Sequence, residues 1–171
     1  HENIGYGPVN LPDPLGVNTV RVETGQDMFD AVRAALPADV AVFAAAVADW
    51  HVDQPNANKI KKQAGGTPLL GLIENPDILA SVAHDANIRP RLVIGFAAET
   101  EHIIEHAKAK LARKGCDWIV ANDVSADTGV MGGDRNTVHL VTLQGVESWP
   151  PQSKNQVAQA LVARIADALA G

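Results

Sequence analysis

Residues 91–98 read RLVIGFAA. From Leu92 onward this run is apolar without alternation for about the length of one strand. A strand with one wet face alternates apolar and polar side chains. A strand that does not alternate is buried on both faces, as in a parallel sheet covered by helices on either side. The flanking sequence repeats the theme. Thr100 is placed to cap a helix running through Lys114, with Gly115 supplying its C′ position. CDWIVA (116–121) then reads as another strand. Upstream, Asn75-Pro76-Asp77 opens a helix, with Asn75 as N-cap, Pro76 at the first helical position and Asp77 in the first turn. Val40 to Val47 is a second continuous apolar run of strand length. Nearer the start, VNTVRV (17–22) alternates as a strand does, and Thr24-Gly-Gln-Asp27 is a capping-box pattern. The helix it opens carries Met28, Phe29, Val32 and Leu36 as its apolar stripe and is stopped by Pro37. Downstream, NTVHLVTL (136–143) and GVESWP (145–150) flank Gln144-Gly145 as an antiparallel hairpin. Ser153-Lys-Asn-Gln156 opens a last helix striped by Val157, Leu161, Ile165 and Leu169. Strand alternating with helix predicts an α/β fold: a Rossmann-like three-layer αβα arrangement with a mostly parallel sheet and a late antiparallel hairpin, expected as one domain over 1–171.

With 171 residues, 46% hydrophobic and 20% charged, the chain is long enough and apolar enough for a core of its own. Aromatics are only 4%, so alanine and valine fill most of that core. A net charge of −6 argues against a nucleic-acid or membrane-surface binder, which carries a basic excess. The single cysteine, Cys116, excludes an internal disulfide and suggests a reducing compartment, so the cytoplasm is the expected location. No apolar run approaches the roughly 20 residues of a spanning helix.

In open α/β sheets, ligands sit beyond the carboxyl ends of the strands. Three strands end suggestively: Val47 into Ala48-Asp49, Ile94 into Gly95-Phe96, and Val120 into Ala121-Asn122-Asp123. Helix starts at Asn75 and Thr100 would turn free N–H groups toward the same rim. Residues 50–68 lack periodicity and read as a mobile loop carrying Lys59, Lys61 and Lys62. Such a loop is either simply solvated or a lid over a polyphosphate. Lys110 and Lys114, four apart on one helix face, alone read as surface lysines offsetting the helix dipole. His102-Ile-Ile-Glu105-His106 matches a zinc-protease pattern. Ile103, Ala107 and Leu111 already form the core stripe of that helix, however, so the histidines lie beside it in solvent, and no third ligand is in place. Protein metal ligands are therefore expected to be none. Cys116, ahead of an apolar strand, reads as an inert buried thiol, and Trp50, Trp118 and Trp149 are too dispersed for a stacking platform.

In order along the chain, AAVAD (45–49), KIKK (59–62), NPDIL (75–79), GFAAET (95–100), the lysine pair and VANDVS (120–125) resemble the bacterial phosphopantothenoylcysteine synthetases, or phosphopantothenate–cysteine ligases, of coenzyme A biosynthesis. The resemblance covers about residues 7 to 143. Members usually form the C-terminal half of a protein whose N-terminal half is an FMN-dependent decarboxylase, and FMN belongs only to that fused domain, absent here. The resemblance implies a two-step reaction. The carboxylate of 4′-phosphopantothenate attacks the α-phosphate of CTP to give an acyl-cytidylate and pyrophosphate, with Mg²⁺ accompanying the triphosphate. The amine of free cysteine then displaces CMP.

Carried onto this sequence, the resemblance implies that the backbone of Phe43, Ala44 and Ala45 meets the cytosine edge and that Asp49 also touches the nucleotide. Lys59 would contact CTP and matter most for turnover. Pro76, Asp77, Ile78 and Leu79 would set a helix N-terminus at the nucleotide, Phe96 would pack nearby, and Lys110 and Lys114 would bind phosphates. A homodimer is implied, with about 123–149 as its contact. The family's opening strand, Gly/Thr-rich turn and Asn-bearing arm have no counterpart in HENIGYGPVNLP (1–12), so Asn3 receives no role. Two readings compete with the ligase: a dinucleotide-binding dehydrogenase, disfavoured because no G-x-G-x-x-G follows a strand, and an inactive or truncated nucleotide-binding Rossmann-like module.

Overall fold

The structure, a computed structural model, describes residues 2–7, 12–53, 71–125 and 135–171. In chain order its elements are β1 (Asn3–Tyr6), β2 (Asn18–Arg21), α1 (Gly25–Ala35), β3 (Val40–Phe43), β4 (Trp50–Val52), β5 (Leu72–Glu74), α2 (Ile78–His84), β6 (Leu92–Glu99), α3 (Ile103–Lys114), β7 (Trp118–Asp123), β8 (Arg135–Thr142), β9 (Val146–Ser148), β10 (Gln152–Ser153) and α4 (Lys154–Ala170). They fall into two compact units, His1–Ala34 with Ala46–Asp77, and Ala35–Ala45 with Ile78–Gly171. Among the described residues no helix is long and apolar enough to cross a membrane.

The larger unit is built on β6, whose Val93 and Ile94 are fully buried. β3 and β7 pair with it in parallel, and β8 closes onto β7 in antiparallel. The strand order is β10-β8-β7-β6-β3, with β9 also on β8. Side chains alternate across this sheet and sort into two cores. Val93, Ala97, Ile119, Ala121 and Val141 meet Leu79 and Ala83 of α2 and Ala107 and Leu111 of α3. Leu92, Ile94, Val120, Val138 and Leu140 meet Val157 and Leu161 of α4, with Trp149. These two clusters make the three layers expected from the sequence. Each fully buried Ile or Leu contributes about 1.5–3 kcal/mol relative to exposure.

Local chemistry fixes the helix ends. The Ser153 hydroxyl accepts from the Gln156 amide at 3.2 Å while Gln156 Oε1 accepts from the Ser153 amide at 2.9 Å, completing the capping box of α4. Thr24 and Asp27 do the same for α1, at 3.0 and 2.9 Å. At the end of α3, Gly115 takes φ 66° and donates to the Leu111 carbonyl at 3.0 Å. A side chain there would also meet His84 Nε2 at 2.7 Å. Arg89 then ties the chain down by donating to the Ala83 and Gly115 carbonyls and to Asp117 Oδ1.

Several expectations are corrected. α3 begins at Ile103, not at Thr100; β6 continues through Glu99, and His102 sits at the N-cap position in a left-handed conformation without a side-chain cap. α2 begins at Ile78, and Asn75 is not its cap. Its side-chain amide instead donates to the Ala48 carbonyl at 2.8 Å, and its backbone amide to the Asp49 carbonyl at 2.8 Å. The strand expected over Val40–Val47 stops at Phe43 and is half-exposed at Val42, because β3 is the end strand of its sheet. Residues 50–52, read as loop, form β4, which pairs antiparallel with β5 in the smaller unit. That unit also holds the parallel pair β1–β2, where Asp13 accepts from the Tyr6 hydroxyl and from Arg21.

Candidate functional site

The parallel ladder between β3 and β6 ends at the pair Phe43–Gly95. Phe96 is therefore the first β6 residue past the end of β3. Lys110, on α3, reaches this point and donates from Nζ to the Phe96 carbonyl at 2.9 Å. The ammonium is half-buried, and its pKa is lowered, first by that desolvation and next by the charge of Lys114, while Glu99 pulls it the other way. A cation held in this way at the carboxyl end of a parallel strand meets an anion more strongly than it would in bulk water. Lys110 is thus no ordinary surface lysine. Lys114 follows one turn later on the same helix.

The expected site residues divide by unit. Phe43, Ala44 and Ala45, Ile78 and Leu79, Phe96, Lys110 and Lys114 all belong to the larger unit. Asp49, Pro76 and Asp77 belong to the smaller one. Lys59, Lys61 and Lys62, and with them the lid, lie outside the described residues. Phe43 packs on the α2–α3 core and Phe96 on the α4 core, so neither aromatic face is spent as a loose platform. Ile78 and Leu79 are buried through their side chains, which leaves their backbone as what they can offer a ligand. The space where Gly95 lacks a side chain is filled by α2: a Cβ there would stand 2.6 Å from Leu79 Cδ2 and 3.0 Å from Ile119 Cδ1.

Two features were missed from the sequence. Glu99 Oε2 meets His106 Nδ1 at 3.1 Å. The H-x-x-E-H pattern drew attention to Glu105, which lies 3.5 Å from His102, whereas the closer carboxylate comes from the strand. Among the described residues no group of three or more His, Cys, Asp or Glu side chains is placed to hold a metal ion. On the opposite sheet face a cavity of about 420 Å³ is lined by Val42, Phe96, Asn122, Val157, Leu161 and Ile165. Asn122 Oδ1 is buried there with no hydrogen-bond partner among the described residues. Only an apolar run ending in a polar pair, Val120 to Asp123, hinted at it. Cys116 is a buried free thiol whose pKa is raised by burial, as expected of an inert one.

Residues 4–169 match the family described as the DNA/pantothenate metabolism flavoprotein C-terminal domain. The chain belongs to this family. It is 39% identical over 158 residues to the coenzyme A biosynthesis bifunctional protein CoaBC of Vibrio cholerae, covering 91% of this chain and 39% of that protein. The CoaBC of Escherichia coli K12 is 40% identical over 162 residues, with 93% and 40% covered. That of Mycobacterium bovis is 42% identical over 171 residues, with 94% and 41% covered. The chain thus spans about two fifths of the length of these relatives. Among solved structures, the C-terminal domain of a CoaBC superposes with a TM-score of 0.75 at 32% identity, covering 95% of this chain and 71% of that one. The DNA/pantothenate metabolism flavoprotein of Streptococcus pneumoniae shares the fold, with a TM-score of 0.75 at 18% identity. These matches bear out the family expected from the motifs and the three-layer α/β architecture.

Proposed function

We propose that this chain is a phosphopantothenate–cysteine ligase domain that uses CTP to activate 4′-phosphopantothenate and then joins it to cysteine. The observation that carries this reading is the Lys110 ammonium, half-buried and held at the Phe96 carbonyl just past the end of β3. A carbonyl is a weak anchor for an ammonium. A phosphate oxygen adds ion–ion attraction that a neutral carbonyl lacks, and takes the lysine over. Membership of a family whose named relatives act in coenzyme A biosynthesis supports the choice of substrates.

In the first step the substrate carboxylate attacks the α-phosphorus and pyrophosphate leaves. In the second, the cysteine amine attacks the acyl carbon and CMP leaves. Neither step requires a covalent enzyme intermediate, so the chain acts by positioning and by fixed positive charge. Lys110 and Lys114 hold phosphate oxygens, and Phe43, Ala44 and Ala45 present backbone to the base. Lys59 closes on the triphosphate. Magnesium, a hard cation that prefers oxygen ligands, would accompany the triphosphate and offset the charge that develops as pyrophosphate leaves. The working form is a cytoplasmic homodimer with 123–149 in its contact, fused to the flavin-dependent decarboxylase.

The test is pyrophosphate release that requires both CTP and phosphopantothenate, followed by CMP release on adding cysteine. Lys59→Ala is expected to lower turnover at least tenfold, about 1.4 kcal/mol of barrier. CTP binding with no pyrophosphate under any condition would make the chain an inactive nucleotide-binding module instead.

A further inference from the structure

Glu99 closes β6 on the sheet face that α3 covers, the face of Val93 and Ala97. Its Oε2 lies 3.1 Å from His106 Nδ1, with the imidazole 48% and the carboxylate 26% exposed. A ring that donates from Nδ1 to a carboxylate presents its lone pair at Nε2 in the neutral form. Among the described residues Nε2 has no hydrogen-bond partner. His106 stands four residues before Lys110 on α3, a spacing that sets Cβ atoms about 5–6 Å apart on one helix face. Glu99 also acts electrostatically on Lys110, so carboxylate, imidazole and ammonium form one local group. Among the described residues, the groups around it on the same helix also include His102, whose ring centroid is 6.0 Å from that of His106, Glu105, and Arg113 and Lys114, whose charges act on Lys110. Asp123 of β7 stands opposite Glu99 in the ladder, with His139 of β8 acting on it in turn.

We propose that His106, oriented by Glu99, accepts the proton released when the cysteine amine is acylated. The inference rests on the ligase reading of the site. In this proposal the α-phosphate is the one held at Lys110, so the group held there is the leaving group of the second step. The carbon under attack is one oxygen away from it, so an acceptor one helical turn from Lys110 stands at the incoming nitrogen. The neutral amine forms the C–N bond, the acyl C–O bond breaks, and CMP departs with that electron pair. The surplus proton on nitrogen passes to Nε2, and the Glu99 carboxylate stabilises the imidazolium, as in other carboxylate-oriented imidazole bases. The imidazolium then returns its proton to water.

The two half-reactions are timed separately: a pyrophosphate burst with CTP and phosphopantothenate, then CMP release after a cysteine chase. His106→Gln is expected to slow the chase relative to the burst by roughly a hundredfold. Added imidazole should restore part of that loss, and Glu99→Gln should shift the ratio in the same direction. A burst-to-chase ratio unchanged in His106→Gln overturns the proposal, as does equal slowing of both steps. Melting curves establish that each variant folds, and His106→Asn serves if His106→Gln does not. A wild-type chain that gives no burst overturns the ligase reading itself, and the role of His106 falls with it.

Discussion

Gly95→Val is the most direct test of how the site is supported from below. A single Cβ at this position would already lie 2.6 Å from Leu79 Cδ2 and 3.0 Å from Ile119 Cδ1. Valine adds two further methyl groups, between a helix side chain and a neighbouring strand that are both fully packed. Overpacking of this kind costs about 3 kcal/mol at the upper end of its usual range. Exchanging Gly for a β-branched residue in a strand returns about 1 kcal/mol. The net loss of about 2 kcal/mol corresponds to a fall of about 4–8 °C in Tm for a chain of this size. Unfolding of the larger unit is followed by the fluorescence of Trp118 and Trp149, which both pack in its α4 core. Leu79→Ala alone should cost 2–5 kcal/mol, on the order of other buried Leu truncations. In the double variant the new valine occupies the space Leu79 leaves, so the two costs should fall short of their sum by at least about 1 kcal/mol. A Gly95→Val chain as stable as wild type, or strictly additive losses, would refute the argument that α2 is seated by the absent side chain.

Lys110→Met keeps the aliphatic packing but removes the charge. With Coulomb attraction at contact between about 1 and 4 kcal/mol as the effective dielectric falls from 80 to 20, a half-buried site should lose about 2 kcal/mol, or ~30-fold in CTP affinity by calorimetry. Asp27 is held below the usual carboxylate range by the Thr24 hydroxyl and amide. Folding thus weakens its hold on the proton, so its stabilising effect is complete above the unfolded-state pKa and is lost as pH falls through the lower folded value. Asp27→Asn should accordingly destabilise the chain at neutral pH and leave it less sensitive than wild type to acid below about pH 4. Cys116, buried with a raised pKa, should react with a thiol reagent only on unfolding, and fast labelling of the native chain at neutral pH would contradict its burial.

Much of this fold was legible because the signals are local. The capping boxes at Thr24–Asp27 and Ser153–Gln156 are set by side chains bonding to amides three residues away, so the sequence displays them directly. The unbroken apolar runs of β6 and β7 declare their burial in the same way. What failed was decided over distance. Asn75 has the chemistry of an N-cap, but its amide is claimed by Ala48, 27 residues earlier. The β4–β5 pairing joins segments that no nearby turn announces. In the site, the i,i+4 spacing showed that Lys110 and Lys114 share a face. The Phe96 carbonyl as Lys110's partner could not be foreseen, because it depends on β3 stopping at Phe43. Glu99 was hidden for a related reason, since its partner His106 lies on the next element and the nearer Glu105 drew the eye.

The central claim, that the cation at the end of β3 exists to receive a nucleotide phosphate, is tested most directly by a crystal structure of the chain soaked with CTP and Mg²⁺. The account predicts Lys110 Nζ turned from the Phe96 carbonyl to a phosphate oxygen, with the base beside Phe43, Ala44 and Ala45. CTP bound elsewhere, with Lys110 still donating to Phe96 and no phosphate within reach, would contradict it.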